Sequence, residues 1–320
     1  MSRATKAWLI IAASLILVGC MIFGGMMMAL KWNFIKLSTS RYETNEYTIK
    51  EAYQNISIVA DTADVIFVPS ETAETEVTCY EQNNVKHSVA VKNGTLVIEV
   101  IDTRRWYEYI GINFDTPKIT VYLPQSGYNT LSVKLDTGDV VVPVAFKFAS
   151  VDITGSTGDV TFSASVAGTA AIKTSTGDIR VENVSVGALD LSVSTGKVTV
   201  SGVTCEGDVT LRVSTGDSNL TDVTCKNLIS NGSTGGLSLE NVVATETFSI
   251  ERSTGDVKLS DCDAAEILIK TDTGDVKGTL LSEKVFITET DTGRVSVPKS
   301  TTGGRCEIHT DTGNIKISIP

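Results

Sequence analysis

The chain has 320 residues, enough for about two domains, and 42% of them are apolar while only 6% are aromatic. A net charge of −11 excludes a nucleic-acid partner, because affinity for a phosphate backbone comes mainly from Lys and Arg. There are two histidines, His87 and His309, and no nucleophile elbow, phosphate-binding glycine loop or spaced metal-ligand set, so neither catalytic residues nor a cofactor are expected.

Residues 8–30 carry no charge and are flanked by Arg3, Lys6 and Lys31, a stretch long enough to cross a membrane. We read residues 1–31 as an uncleaved anchor, which places the remaining chain outside the cytoplasm. Two other readings stand beside it. Leu17-Val18-Gly19-Cys20 has the form of a lipobox, with Cys20 as the lipidated residue, and a cleaved secretory signal is the other. Residues 32–52 are polar without a sustained period and read as a juxtamembrane linker.

Residues 53–130 form a wider β region. Residues 56–68 resemble one coil of the later repeat, with Ala63 at its corner. A strand over 75–80 follows, then a hairpin of 88–92 and 95–100 across Asn93-Gly94, and a strand over 118–123. This region is expected to cap the solenoid. Within it, residues 104–114 gather Trp106, Tyr107, Tyr109 and Phe114 beside Arg104 and Arg105, the composition of a contact surface. The alternative is a loop that covers the cap's own core.

Residues 131–320 are organised by Ser/Asp-Thr-Gly, with glycines Gly138, Gly158, Gly177, Gly196, Gly216, Gly235, Gly255, Gly274, Gly293 and Gly313 spaced 19 or 20 apart. Such a period marks a solenoid. Counting each glycine as zero, apolar residues recur at −7 and −5, at +2 and +4, and in the middle repeats at +7 and +9. Each set alternates as a half-buried strand does, and an odd step separates each set from the next. Three phase changes per repeat predict three short faces: an all-β, single-stranded parallel β-helix of about ten coils, preceded by one transmembrane helix. The glycine serves as the corner, helped by its Ser or Asp neighbour and a stacked threonine hydroxyl. Residues 315–319 hold the strand pattern to the end, so the last coil is expected to leave an edge open to end-to-end self-association.

Aspartate recurs at +1, at Asp139, Asp159, Asp178, Asp256 and Asp275 among others. Stacked carboxylates are weak candidates for a hard cation, against a purely local role in closing the corner. Cys205 and Cys225 share position +9 in successive coils, within reach of a disulfide but also in a column of small core residues.

Ser156-Thr157-Gly158-Asp159-Val160 and Asp272-Thr273-Gly274-Asp275-Val276, each preceded by an alternating apolar strand, resemble the bacterial adhesin-like family of β-strand-repeat domains. The resemblance covers residues 53–320 and implies the repeat architecture with a membrane segment, and no catalytic residues. It implies a non-catalytic binding or scaffold protein at the cell envelope, with a cell-wall glycan or an envelope protein as partner. An accessory regulator of envelope-stress signalling and, further off, a carbohydrate-active β-helix enzyme are the alternatives.

Overall fold

A computed structural model describes residues 2–33, 41–109 and 115–319. Arg3–Ala29 is one α-helix, capped by the Ser2 hydroxyl, which accepts from the Thr5 amide at 3.1 Å. Its Thr5–Ala29 stretch is long and apolar enough to cross a membrane, and most of its side chains are exposed.

The repeats form a parallel β-solenoid, and each coil is named here by its corner glycine. Three ladders run the length of the stack. In the first, Gly127–Thr137, Lys147–Thr157 and Ser165–Thr176 pair so that Thr137, Thr157 and Thr176 align. In the second, Val140–Val142, Val160–Phe162 and Ile179–Glu182 align. In the third, Ser185 and Val186 face Thr204 and Cys205. The alternating residues at −7/−5, +2/+4 and +7/+9 point inward: Leu189, Leu191, Val198, Val200, Val203 and Cys205 in one turn are all at least 95% buried. Small β-branched side chains fill this narrow core, which accounts for the scarcity of aromatics.

The corner glycine is required twice over. Gly196 has φ +148°, a backbone that side chains with a Cβ rarely adopt. A Cβ there would also stand 2.0 Å from the Gly177 carbonyl oxygen, because each corner sits directly on the one before. Ala63 begins the column: the carbonyl of Ala63 lies under Gly138, and no repeat corner lies under Ala63 itself, so a methyl is accommodated. The corner amides donate to the threonine carbonyl of the next coil, Gly177 to Thr195 and Gly196 to Thr215, each at 3.0 Å. The expected ladder of threonine hydroxyls does not form. These side chains face solvent, and the threonine serves through its carbonyl.

A second corner escaped the sequence reading. Position +6 is left-handed in five successive coils, at Asn183, Gly202, Asp222, Asn241 and Asp261, with φ between 52° and 62°. Asn, Asp and Gly are the residues that tolerate that region, so the column was written in the sequence.

Both ends depart from simple stacking. The strand Gly304–Thr312 lies between Glu266–Thr273 and Lys284–Thr292, pairing in parallel with each. The last repeat is therefore inserted inside the stack, and the edge belongs to the Gly293 coil. This corrects the expectation of an open edge at residues 315–319. The Gly293 coil instead exposes Val285, Ile287 and Val295. At the other end, Asn55–Thr62 sits between Thr95–Asp102 and Gly127–Thr137. The outer layer is antiparallel: Thr75–Gln82 pairs with Lys118–Pro124, and Val85–Lys92 with Thr95–Asp102 through the predicted Asn93-Gly94 turn. Tyr42–Ile49, read as linker, is a further strand of this cap, antiparallel to Thr75–Gln82. Its polar composition hid it, since an edge strand needs only part of one face covered.

Candidate functional site

The +1 aspartates form a row, and their chemistry is used within the stack. Asp159 Oδ1 accepts from the Asp178 amide at 2.7 Å, Asp139 Oδ1 from Asp159 at 2.8 Å, and Asp256 Oδ1 from Asp275 at 3.0 Å. Each carboxylate thus caps a backbone N–H of the following coil, where the sequence reading had it bond locally. Asp178 does the same for Lys197 and Asp275 for Asn314, so the row tolerates other residues at the receiving end. These hydrogen bonds hold the Asp275 carboxyl below its usual range, the Asn314 amide contributing most.

The cap carries the aromatic loop. Trp106–Tyr109 is a short 3₁₀ helix that follows Thr95–Asp102. The Arg104 side chain grips Asp102, with Nη2 at 2.5 Å from Oδ2 and Nε at 3.0 Å from both oxygens. Its guanidinium also lies 4.3 Å from the centre of the Tyr109 ring, and Tyr109 donates its hydroxyl to Asp102 at 3.0 Å. Glu108 closes the helix by accepting the Arg105 amide at 2.7 Å. The Arg104 hydrogen bonds push the Asp102 pKa down to about 2. Trp106 is 79% exposed and Tyr109 59%. The loop is therefore held from beneath and presents its rings outward, against the reading in which these two residues cover the cap core. The Tyr107 side chain and Phe114 lie outside what the structure describes.

The chain that follows the loop returns beside the first strand of the cap. Tyr42, the first residue of the cap, donates its hydroxyl to the Asp115 carbonyl at 2.9 Å. Tyr42, Asp61, Arg104 and Asp115 share a cleft of about 280 Å³. Arg104, which braces Tyr109, and Tyr42, which opens the first cap strand, thus line one cleft.

Cys79, Glu81 and His87 converge inside the cap, with one donor atom of each within 4.8 Å of the others. His87, read as a polar strand position, is 4% exposed. Glu81 Oε2 accepts from both the His87 amide and Nδ1 at 2.7 Å, and Oε1 accepts from Asn45 at 2.7 Å. Burial pushes the Cys79 thiol up to about 12, so it stays protonated. With both carboxylate oxygens taken, the group works as a clamp between strands. It draws in Asn45 of the strand missed from sequence, and the Cys79-x-Glu81 spacing on one strand face was its only sequence signal. His309 lies far away, bonded to Asp311 at 3.0 Å. The cysteines are all free, so Cys205 and Cys225 are unbridged core residues.

The sequence profile of one family, Toastrack DUF4097, matches residues 53–212 and 207–320. Among proteins of curated function, none matches the chain. Similar solved structures include a putative adhesin from Bacteroides fragilis, 16% identical over 87% of this chain and 97% of its own, with a TM-score of 0.42. A putative adhesin from Parabacteroides distasonis is 12% identical over 87% and 98%, with a TM-score of 0.44. A putative lipid binding protein from the same species is 16% identical over 88% and 98%, with a TM-score of 0.37.

Proposed function

Given that the chain belongs to the Toastrack DUF4097 family, we propose that it is a membrane-anchored, extracytoplasmic and non-catalytic binding scaffold of the bacterial cell envelope. The observation that carries this reading is the Tyr42–Asp115 contact, which ties the chain just after the braced aromatic loop to the cap strand that follows the anchor in sequence. Exposed Trp and Tyr rings next to Arg are favoured at protein contacts and at the headgroup level of a bilayer. The partner is then on the membrane side, either an envelope protein or the lipid surface, and the solenoid holds the loop there. This places a membrane-side partner ahead of a cell-wall glycan, and it accommodates a regulatory role exerted through a membrane protein.

The test uses the full chain in its own membranes, with a photo-crosslinking residue at Trp106 or Tyr109. Crosslinks to one membrane protein or to lipid support the proposal, and the identity of the adduct separates the two. Crosslinks to cell-wall glycan would move the reading to outward adhesion and overturn it.

The free edge of the Gly293 coil favours a second contact. Val285, Ile287 and Val295 stand exposed beside unpaired strand edges, the surface an end-to-end partner copy would cover. Sedimentation of the full chain in detergent against a Val285→Lys, Ile287→Lys variant decides it: a dimer lost in the variant supports the contact, and a monomer in both removes it.

A further inference from the structure

One group of buried side chains in the cap breaks with its surroundings. The cap interior is lined by Val77, Ile98, Ile119 and Val121, each fully buried, yet Cys79 and Glu81 are just as buried and His87 is 4% exposed. Cys79 and Glu81 stand two apart in Thr75–Gln82 and so share one strand face. The tight turn closed by Gln82 and Val85 brings His87, in Val85–Lys92, against Glu81.

Glu81 has His87 as its ion-pair partner among the described residues, and that partner is charged only when protonated. A buried carboxylate is costly without a lasting counter-charge. The three side chains also bring different donors together: Cys79 Sγ, a Glu81 oxygen and a His87 nitrogen all lie within 4.8 Å of one another. Donors that share a tetrahedral zinc ion stand about 3.3–3.8 Å apart. Closing the set therefore takes no more than about 1.5 Å of side-chain movement, with the 2.7 Å Nδ1···Oε2 contact opening by about 0.6 Å.

We propose that Cys79, Glu81 and His87 bind a zinc ion, with Sγ, Oε2 and Nδ1 as its protein ligands. Thiolate, imidazole and carboxylate together suit zinc, whereas calcium and magnesium take oxygen ligands. The ion takes the place of the proton between Nδ1 and Oε2, and Oε2 keeps its bond to the His87 amide. That proton moves to Nε2, which has no hydrogen-bond partner to oppose it, and the thiol proton leaves to solvent. Thiolate and carboxylate then cancel the two charges of the ion, so the buried site carries no net charge. Three protein ligands leave a fourth place for water. His87 also lines the cleft of about 280 Å³, where Asp61 and Asp115 favour the approach of a cation while Arg104 is paired with Asp102. The ion would pin Thr75–Gln82 to Val85–Lys92 whatever partner the aromatic loop meets.

The test uses the untagged full chain in detergent, in a Cys20→Ser background, treated with a chelator and then titrated with cobalt(II) under reducing conditions. One equivalent should raise a thiolate-to-cobalt charge-transfer band and the strong visible bands of a four-coordinate ion, and zinc should displace it. Cys79→Ala should lose the charge-transfer band. His87→Gln should weaken cobalt binding at least about tenfold, the loss that even an outer-shell partner causes. Changing Cys205 and Cys225 to Ser should alter neither band nor affinity. A chain with no charge-transfer band, or one whose band survives Cys79→Ala, overturns the proposal. Should the variants not fold, zinc-edge anomalous scattering from crystals of the unaltered chain decides: a peak between Sγ, Oε2 and Nδ1 supports the site, and no peak there overturns it.

Discussion

Replacing Gly196 with Ala tests the central claim that the corner column admits no Cβ. The added carbon would stand 2.0 Å from the Gly177 oxygen, against the 3.4 Å at which ordinary contact begins, so the two coils must part locally by about 1.4 Å. Three hydrogen bonds bridge those coils at this corner: Gly177 to Thr195 at 3.0 Å, Ile179 to Lys197 at 2.9 Å, and Lys197 to Asp178 at 2.7 Å. Parting by that distance takes all three out of range, at about 1 kcal/mol each. The backbone at φ +148° adds about 1–3 kcal/mol of strain for any residue with a Cβ. Gly196→Ala should therefore cost on the order of 4–6 kcal/mol. Gly127→Ala is the control, since its Cβ would meet nothing within 4 Å and its φ is ordinary, and it should stay within about 0.5 kcal/mol of wild type. Urea unfolding followed by far-ultraviolet circular dichroism measures both. A Gly196→Ala midpoint close to that of Gly127→Ala would refute the stacked-corner argument, whatever the fate of the family assignment.

Four further outcomes follow from the same structure. Asp159→Ala should lose about 1 kcal/mol with the bond to the Asp178 amide, while Asp159→Asn keeps an acceptor and removes one charge from the row, so it should match or exceed wild type in low-salt unfolding. Deleting residues 304–319 should strip hydrogen-exchange protection from Lys284–Thr292 as well, because that strand pairs only with the inserted one and with nothing earlier in the stack. In a Cys20→Ser background, Cys79, Cys225 and Cys306, with thiols pushed up to about 12, should resist a disulfide reagent at pH 8 until the protein unfolds, together with buried Cys205 and Cys262. The Asp102 clamp has its pKa lowered from 3.8 to about 2, so its contribution is complete above pH 4 and fades only as pH falls towards 2; with Trp8 and Trp32 changed to Phe, Trp106 emission should hold constant down to pH 4, whereas Asp102→Asn should shift it at neutral pH.

What the sequence disclosed and what it withheld divide along a physical line. Contacts between equivalent positions of successive coils repeat with the chain, so the corner glycines, the inward valines and the three faces could be read from spacing alone. The positive-φ column at Asn183, Gly202, Asp222, Asn241 and Asp261 was legible in the same way, had residue type been followed as closely as hydrophobicity. Contacts that join non-equivalent positions leave no period. Insertion of Gly304–Thr312 inside the stack changes which coil ends the solenoid, while Cys306, Ile308, Ile315 and Ile317 keep the inward pattern of any other coil. The Tyr42–Asp115 contact and the Asn45–Glu81 bond reach across 73 and 36 residues and depend on a strand whose sequence is polar. The repeat also gives every departure from itself a meaning. Ser230 and Gly232, each in a column that holds aliphatic residues in the coil before, became interpretable only once Arg252 was found turned inward against both. A buried cation costs more than the aliphatic residues of the same column, and the Ser230 bond and the space left at Gly232 are what this stretch sets against that cost.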